Sequence, residues 1–200
     1  GIAVIEVDPM TLALMIAAPA HAQISDDTIK IGLLTDLSGV YSDIDGNGGA
    51  EAVRMAIADL GGAINGKKVT FVVADHQNKP DIAASKAREW FDQQGLDMLL
   101  GGTNSGANLA MAKVAAEKKK VFISIGAGTA QLTNEQCSPY TVHYAYDTVA
   151  LARGTGSAVL KQGGKSWYFM TADYAFGQSL ERDTTEVIKA NGGTVVGSVK

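Results

Sequence analysis

The sequence predicts an α/β fold built on parallel sheets, and three observations carry that expectation. Short apolar, β-branched runs of strand length alternate with longer segments whose apolar residues recur every three or four positions. Several of the short runs are apolar without a break, as strands covered on both faces of a parallel sheet are. Glycines fall just past the helical segments, where a left-handed residue ends a helix.

In chain order, strands are expected at 29–34, 69–74, 98–101, 120–125, 167–171 and 194–199, and helices at 49–60, 81–94, 107–118, 148–162 and 176–191. This repeated strand, helix, strand order calls for parallel pairing through crossovers. Pro80-Asp81, Ser105 and Asp147 mark helix starts, as first-turn or capping residues. Gly61-Gly62, Gly95, Gly163-Gly164 and Gly192-Gly193 mark helix ends in left-handed conformation. The stretch 126–146 is the longest without helical periodicity, after which the strand-helix rhythm restarts, so it reads as the crossing into a second lobe.

Composition narrows the function. With 46% hydrophobic and 19% charged residues and a net charge of −4, the chain is neither disordered nor equipped with a basic face for nucleic acid. Lys118 to Lys120 close a predicted helix, where cations suit the macrodipole. Cys137 is the only cysteine, which excludes an internal disulfide and a Cys-based zinc site. Residues 11–18 (TLALMIAA) form a short apolar core ahead of Ala20 and Ala22, which fit an A-x-A cleavage site. Residues 1–22 are therefore expected to be a signal peptide, with the mature chain starting at Gln23. Glu6 and Asp8 stand where positive charge belongs, so the leading region reads as defective or truncated; a buried strand over 2–7 is the alternative.

In a parallel sheet, ligands bind beyond the carboxyl ends of the strands. The segment GGTNSGAN (101–108) places glycines and the Ser105 hydroxyl at a helix start, whose free N–H groups suit an anion. Asn104 or Ser105 also serves there as the helix cap. IGAGTAQLT (125–133) offers the same chemistry after the next strand, with Gly126, Ala127 and Gly128 exposing main chain and Thr129 adding a hydroxyl. Tyr41, Tyr144, Tyr146, Tyr174 and Phe176 fall near the same cleft, where aromatic rings cover a ligand or pack in the core.

Enzyme motifs fail. GGAINGKK (61–68) lacks the Ser/Thr of a phosphate loop and runs from helix into strand. GTGSAV (154–159) lacks the third glycine of a dinucleotide site and lies in a helix, and there is no G-x-S-x-G. Asp36 and Asp75 end adjacent strands without a third ligand or nucleophile, and read as capping or loop carboxylates; His76 and His143 read as isolated structural residues. No cofactor or metal is implied.

The ordered motifs IKIGLLTDLSG (29–39), GNGGAEAVRMAI (46–57), NGKKVTFVVAD (65–75), LLGGTNSG, VFISIGAG and TADYAFGQSL (171–180) carry a family likeness. From Thr28 to Lys200 the chain resembles periplasmic solute-binding proteins of the branched-chain amino acid (leucine/isoleucine/valine) type. The resemblance implies the type I periplasmic binding protein fold. That fold has two hinged lobes, each a parallel sheet flanked by helices, and the ligand between them passes to an ABC transporter permease. Residues 23–146 would be the first lobe, without its return segment, and 147–200 the start of a truncated second lobe. Position by position, Ser105 resembles the serine that holds the ligand carboxylate, beside Asn104. Ala127, Gly128 and Thr129 resemble the second carboxylate loop, and Phe176 a second-lobe aromatic that closes over the ligand with Tyr146. The family's loop threonine aligns with Gly128, and Phe176 replaces a frequent tyrosine. The expected ligand is thus an amino acid or similar small carboxylate or amide, aromatic acids included, and no catalysis is expected. An amide or amino-acid sensor domain and a soluble α/β hydrolase remain the alternatives.

Overall fold

The computed structural model describes residue 24 and residues 26–200. The signal-peptide expectation for residues 1–22, and the start at Gln23, lie outside the described residues. Six strands form the main sheet: β1 (Thr28–Thr35), β2 (Ala63–Ile64), β3 (Lys67–Asp75), β4 (Met98–Gly101), β5 (Val121–Ser124) and β6 (Thr141–His143). Their spatial order is β2-β3-β1-β4-β5-β6. The chain leaves β1 for β3 on one side and returns to β4 on the other, so strand order reverses between β1 and β4. A crevice opens at such a reversal.

Three helices flank this sheet: α1 (Asn47–Asp59), α2 (Pro80–Gln93) and α3 (Ser105–Lys118). Helices α2 and α3 share one apolar cluster, in which Trp90, Leu96, Leu99, Met111 and Phe122 are buried. Each such side chain contributes about 1.5–3 kcal/mol by leaving water. Leu33 and Leu100 point to the other face, against Ala50 of α1. The alternation of Leu33 and Leu34 between the two clusters explains why β1 carries adjacent apolar residues rather than a strict apolar–polar alternation there. Gly32 is required beneath α2, since a β-carbon there would lie 2.6 Å from the Trp90 ring.

After α4 (Thr148–Leu151), α5 (Ser157–Lys161) and β7 (Ser166–Met170), the long helix α6 (Ala175–Ala190) leads into β8 (Thr194–Val199). Strands β7 and β8 pair in parallel as a second, two-stranded sheet. Every strand and helix foreseen is present within a few residues, so the mixed α/β architecture with a mainly parallel sheet holds.

Four expectations need correction. The pairing is not wholly parallel, because β2 runs antiparallel to β3. A tight hairpin turn joins them at Asn65 and Gly66, both with positive φ (50° and 79°). The single helix expected at 148–162 is divided by a π-helical turn, Ala152–Gly156, where two glycines weaken the α-helix. Gly164 and Gly193 are not left-handed like Gly163 and Gly192; they are small because a β-carbon would strike Val159 or Ile188 at 2.7 Å. Strand β7 is not buried on both faces: Met170 is 90% and Tyr168 62% exposed, since α6 covers one side only among the described residues.

Candidate functional site

Parallel pairing of β4 with β5 sets their carboxyl ends side by side. The bends that follow, at 102–105 and 126–129, are therefore neighbours. Asn104 is the N-cap of α3, its side-chain oxygen accepting from Ala107 N–H at 2.7 Å, and its amide donates to Asn78. The N–H groups of Ser105 and Gly106 belong to the first turn, which has no intrahelical acceptor. Ser105 is fully buried, and its hydroxyl oxygen accepts from the Thr129 N–H at 3.2 Å. That bond ties one bend to the other.

The second bend is held from three sides. His143 Nε2 meets the Ala127 carbonyl at 2.5 Å, so His143 is a brace for this loop rather than an isolated residue. Thr148 N–H donates to the Gly128 carbonyl at 2.8 Å, while the Thr148 hydroxyl accepts from Ala130 N–H and donates to Asp183 Oδ2 at 2.6 Å. The Thr129 hydroxyl lies 2.8 Å from the Ser179 hydroxyl of α6 and is fully buried. Sequence reasoning named Thr129 for its hydroxyl; in the structure that hydroxyl spans to α6.

Phe176 and Tyr146 approach Gly128 closely. A β-carbon on Gly128 would lie 2.8 Å from Phe176 Cε2 and 3.0 Å from Tyr146 Cε2. Tyr146 keeps 55% of its surface exposed, so it covers the rim. The structure thus gathers all seven predicted positions, Asn104, Ser105, Ala127, Gly128, Thr129, Tyr146 and Phe176, into one region at the strand ends.

Other residues at this place were missed or ranked low. Tyr41, from the loop after β1, donates to the Tyr174 hydroxyl at the N-cap of α6, and the Tyr174 ring stands 6.1 Å from the Phe176 ring. Burial pushes the Tyr174 phenol well above its ordinary range. Tyr41 itself is placed by Asp36, a buried carboxylate accepting from the N–H groups of Gly39 (2.7 Å), Tyr41 (3.0 Å) and Ser38 (3.4 Å). Asp75 accepts from Leu37 and Gln77 N–H and from the Ser38 hydroxyl. Burial raises the Asp75 carboxyl, but these three bonds outweigh it and hold the pKa below the usual value. Both aspartates organise loops. Thr148 and Ser179 gave no signal, since a threonine or serine in a helical pattern reads as filler.

Elsewhere, a hollow of about 510 Å³ lies at the opposite end of the sheet beside Lys30, Gln94 and Gly95, away from the bends. Among the described residues no group of three His, Cys, Asp or Glu side chains could hold a metal ion, and no helix is long and apolar enough to cross a membrane.

The family model for periplasmic binding proteins matches residues 28–200. This chain belongs to that family. Leu/Ile/Val-binding protein homolog 1 of Brucella abortus is 34% identical over 87 residues, 44% of this chain and 23% of the relative. A periplasmic binding protein structure from Burkholderia mallei is 69% identical, with a TM-score of 0.84 over 86% of this chain and 46% of that one. An ABC transporter solute-binding protein from R. palustris, solved with benzoate, is 27% identical, with a TM-score of 0.78 over 86% and 48%. This periplasmic binding protein chain thus spans under half the length of those structures and under a quarter of the Brucella relative. The family and these neighbours are solute-binding proteins rather than enzymes, and the fold is that of type I periplasmic binding proteins.

Proposed function

We propose that this chain is part of the exported substrate-binding component of an ABC uptake transporter, taking an amino acid or similar small carboxylate or amide, aromatic acids included, between two hinged lobes. The observation that carries this reading is the Thr129 to Ser105 hydrogen bond, which joins two strand-end bends beneath Phe176 and Tyr146. Residues 23–146 form the first lobe and 147–200 begin the second. Contacts from α6 to the bends, through Ser179 and Asp183, then belong to the closed arrangement.

The chemistry follows from the parts. Ser105 has an acceptor role toward Thr129 and keeps its hydroxyl proton for a guest carboxylate, beside the first-turn N–H groups of α3. Gly128 leaves room for an aromatic ring where a side chain would stand. Phe176 covers an apolar or aromatic portion without demanding a hydrogen bond. Such a site needs binding energy and hinge closure only, and the cargo passes to a permease in the membrane. The benzoate bound by the R. palustris protein and the name of the Brucella relative support the two ligand classes.

A thermal-shift screen of the full-length protein against amino acids, amides and aromatic acids tests the reading. A ligand at a hundred times its Kd stabilises the folded state by about 2.7 kcal/mol, enough for a clear rise in Tm. No shift and no calorimetric heat with any of these classes rejects the proposal.

A further inference from the structure

We infer that Asp45, together with Thr103, forms a hydrogen-bond-accepting subsite between β1 and β4, so that the guest is an acid carrying an ammonium or hydroxyl donor. The inference rests on the receptor reading above and deepens it. Asp45 lies in a π-helical turn, Ser42–Gly46, that carries the chain from the β1 loop into α1. Gly46 presses this turn onto the Asp36 carbonyl, where a β-carbon would come within 2.8 Å. The turn therefore brings Asp45 over the strand ends.

One carboxylate oxygen is fixed there: the Thr35 hydroxyl, at the end of β1, donates to Asp45 Oδ1 at 2.9 Å. The other is not satisfied. Asp45 Oδ2 is shut off from solvent with no hydrogen-bond partner, and so is Thr103 Oγ1. Buried polar atoms are nearly always paired, so two orphans in one place call for a missing partner. They do share a place. A β-carbon on Gly126 would meet both Asp45 Oδ2 and Thr103 Oγ1 at 3.1 Å, and one on Gly102 would meet Asp45 Oδ2 at 2.6 Å.

Position and chemistry agree. Strand order reverses between β1 and β4, where ligands of open α/β sheets bind. Thr103 sits two residues before Ser105, and Gly126 three before Thr129, so the acceptor subsite and the carboxylate grip share the same two bends. A carboxylate oxygen here repels a guest that offers only acceptors. It favours one whose N–H or O–H reaches Oδ2 while its own carboxylate faces the start of α3.

Calorimetry on the full-length protein tests this with two matched pairs: leucine against 4-methylpentanoate, and 4-hydroxybenzoate against benzoate. The wild type should bind the donor-bearing member of at least one pair about tenfold or more tightly, and Asp45→Asn should cut that preference about tenfold. Thr103→Val should act in the same direction. The ligand-free melting temperature checks that each variant folds, and Thr103→Val carries the test should Asp45→Asn misfold. A wild-type preference for the donor-free members, or a preference unchanged in the folded variants, overturns the inference and leaves the receptor reading standing. Absence of binding by any compound in the wider screen removes the receptor reading and this inference with it.

Discussion

The backbone N–H of Thr129 rests on the hydroxyl oxygen of Ser105 at 3.2 Å, in a place where both residues are fully buried. Two loops that are 24 positions apart in sequence thereby become one surface.

Ser105→Ala should affect both stability and binding. The Thr129 N–H loses its acceptor inside the protein, a cost of about 1–3 kcal/mol in urea denaturation. Loss of a hydroxyl donor to a charged guest group costs about 1.5–3 kcal/mol, so affinity should fall roughly ten- to a hundredfold by calorimetry. Unchanged affinity in the folded variant would remove Ser105 from the site.

Gly128→Ala places a β-carbon 2.8 Å from the Phe176 ring and 3.0 Å from Tyr146. The rings must withdraw, so affinity for the best ligand should drop by about tenfold or more, roughly 1–3 kcal/mol of overpacking. Adding Phe176→Ala should return part of the lost stability, and a double-mutant cycle with no coupling energy would contradict the contact.

Asp36→Ala strands three loop N–H groups that now share one buried carboxylate. The expected loss is about 3 kcal/mol in chemical denaturation, with Asp36→Asn milder because one acceptor oxygen survives. Tyr41 is set by the same carboxylate, so fluorescence of the Tyr41–Tyr174 pair should change as well.

Acidification should weaken the fold in two stages. Burial lowers the pKa of His76 below its ordinary 6.5, against the pull of Asp36, Asp75 and Asp45. The unfolded chain then binds the extra proton first, so this stability is complete above about pH 6.5 and declines as pH falls below it. Asp75 is likewise depressed, from 3.8, and its contribution is lost only as pH drops further, below that value. Denaturation midpoints followed from pH 8 to pH 5 should show the first stage in the wild type and not in His76→Gln. A decline of equal size in the variant would assign it to other groups.

Much of this molecule was legible in its sequence because the signals are local. The apolar run at 98–101 and the spacing along α3 register a strand and a helix without reference to anything distant. Gly61, Gly95 and Gly192 mark helix ends through their own positive φ. The short strands β2 and β6 escaped notice, since two or three residues carry no period and exist only because a neighbouring strand pairs with them. His143 was read as isolated for the same reason: its partner, the Ala127 carbonyl, is 16 residues away.

By itself the sequence determined the strand-helix rhythm, most of the helix ends to within a few residues, the family and the two glycine-bearing bends, all of which follow from periodicity, capping chemistry and residue order. Only the tertiary structure decided that Thr129 leans on Ser105 and reaches Ser179, that Thr148 links Gly128 to Asp183, and that Asp45 lies over the reversal between β1 and β4. Those relationships depend on which strands lie side by side and on how a π-helical turn redirects one loop, and through-space adjacency of that kind leaves no local pattern in the chain.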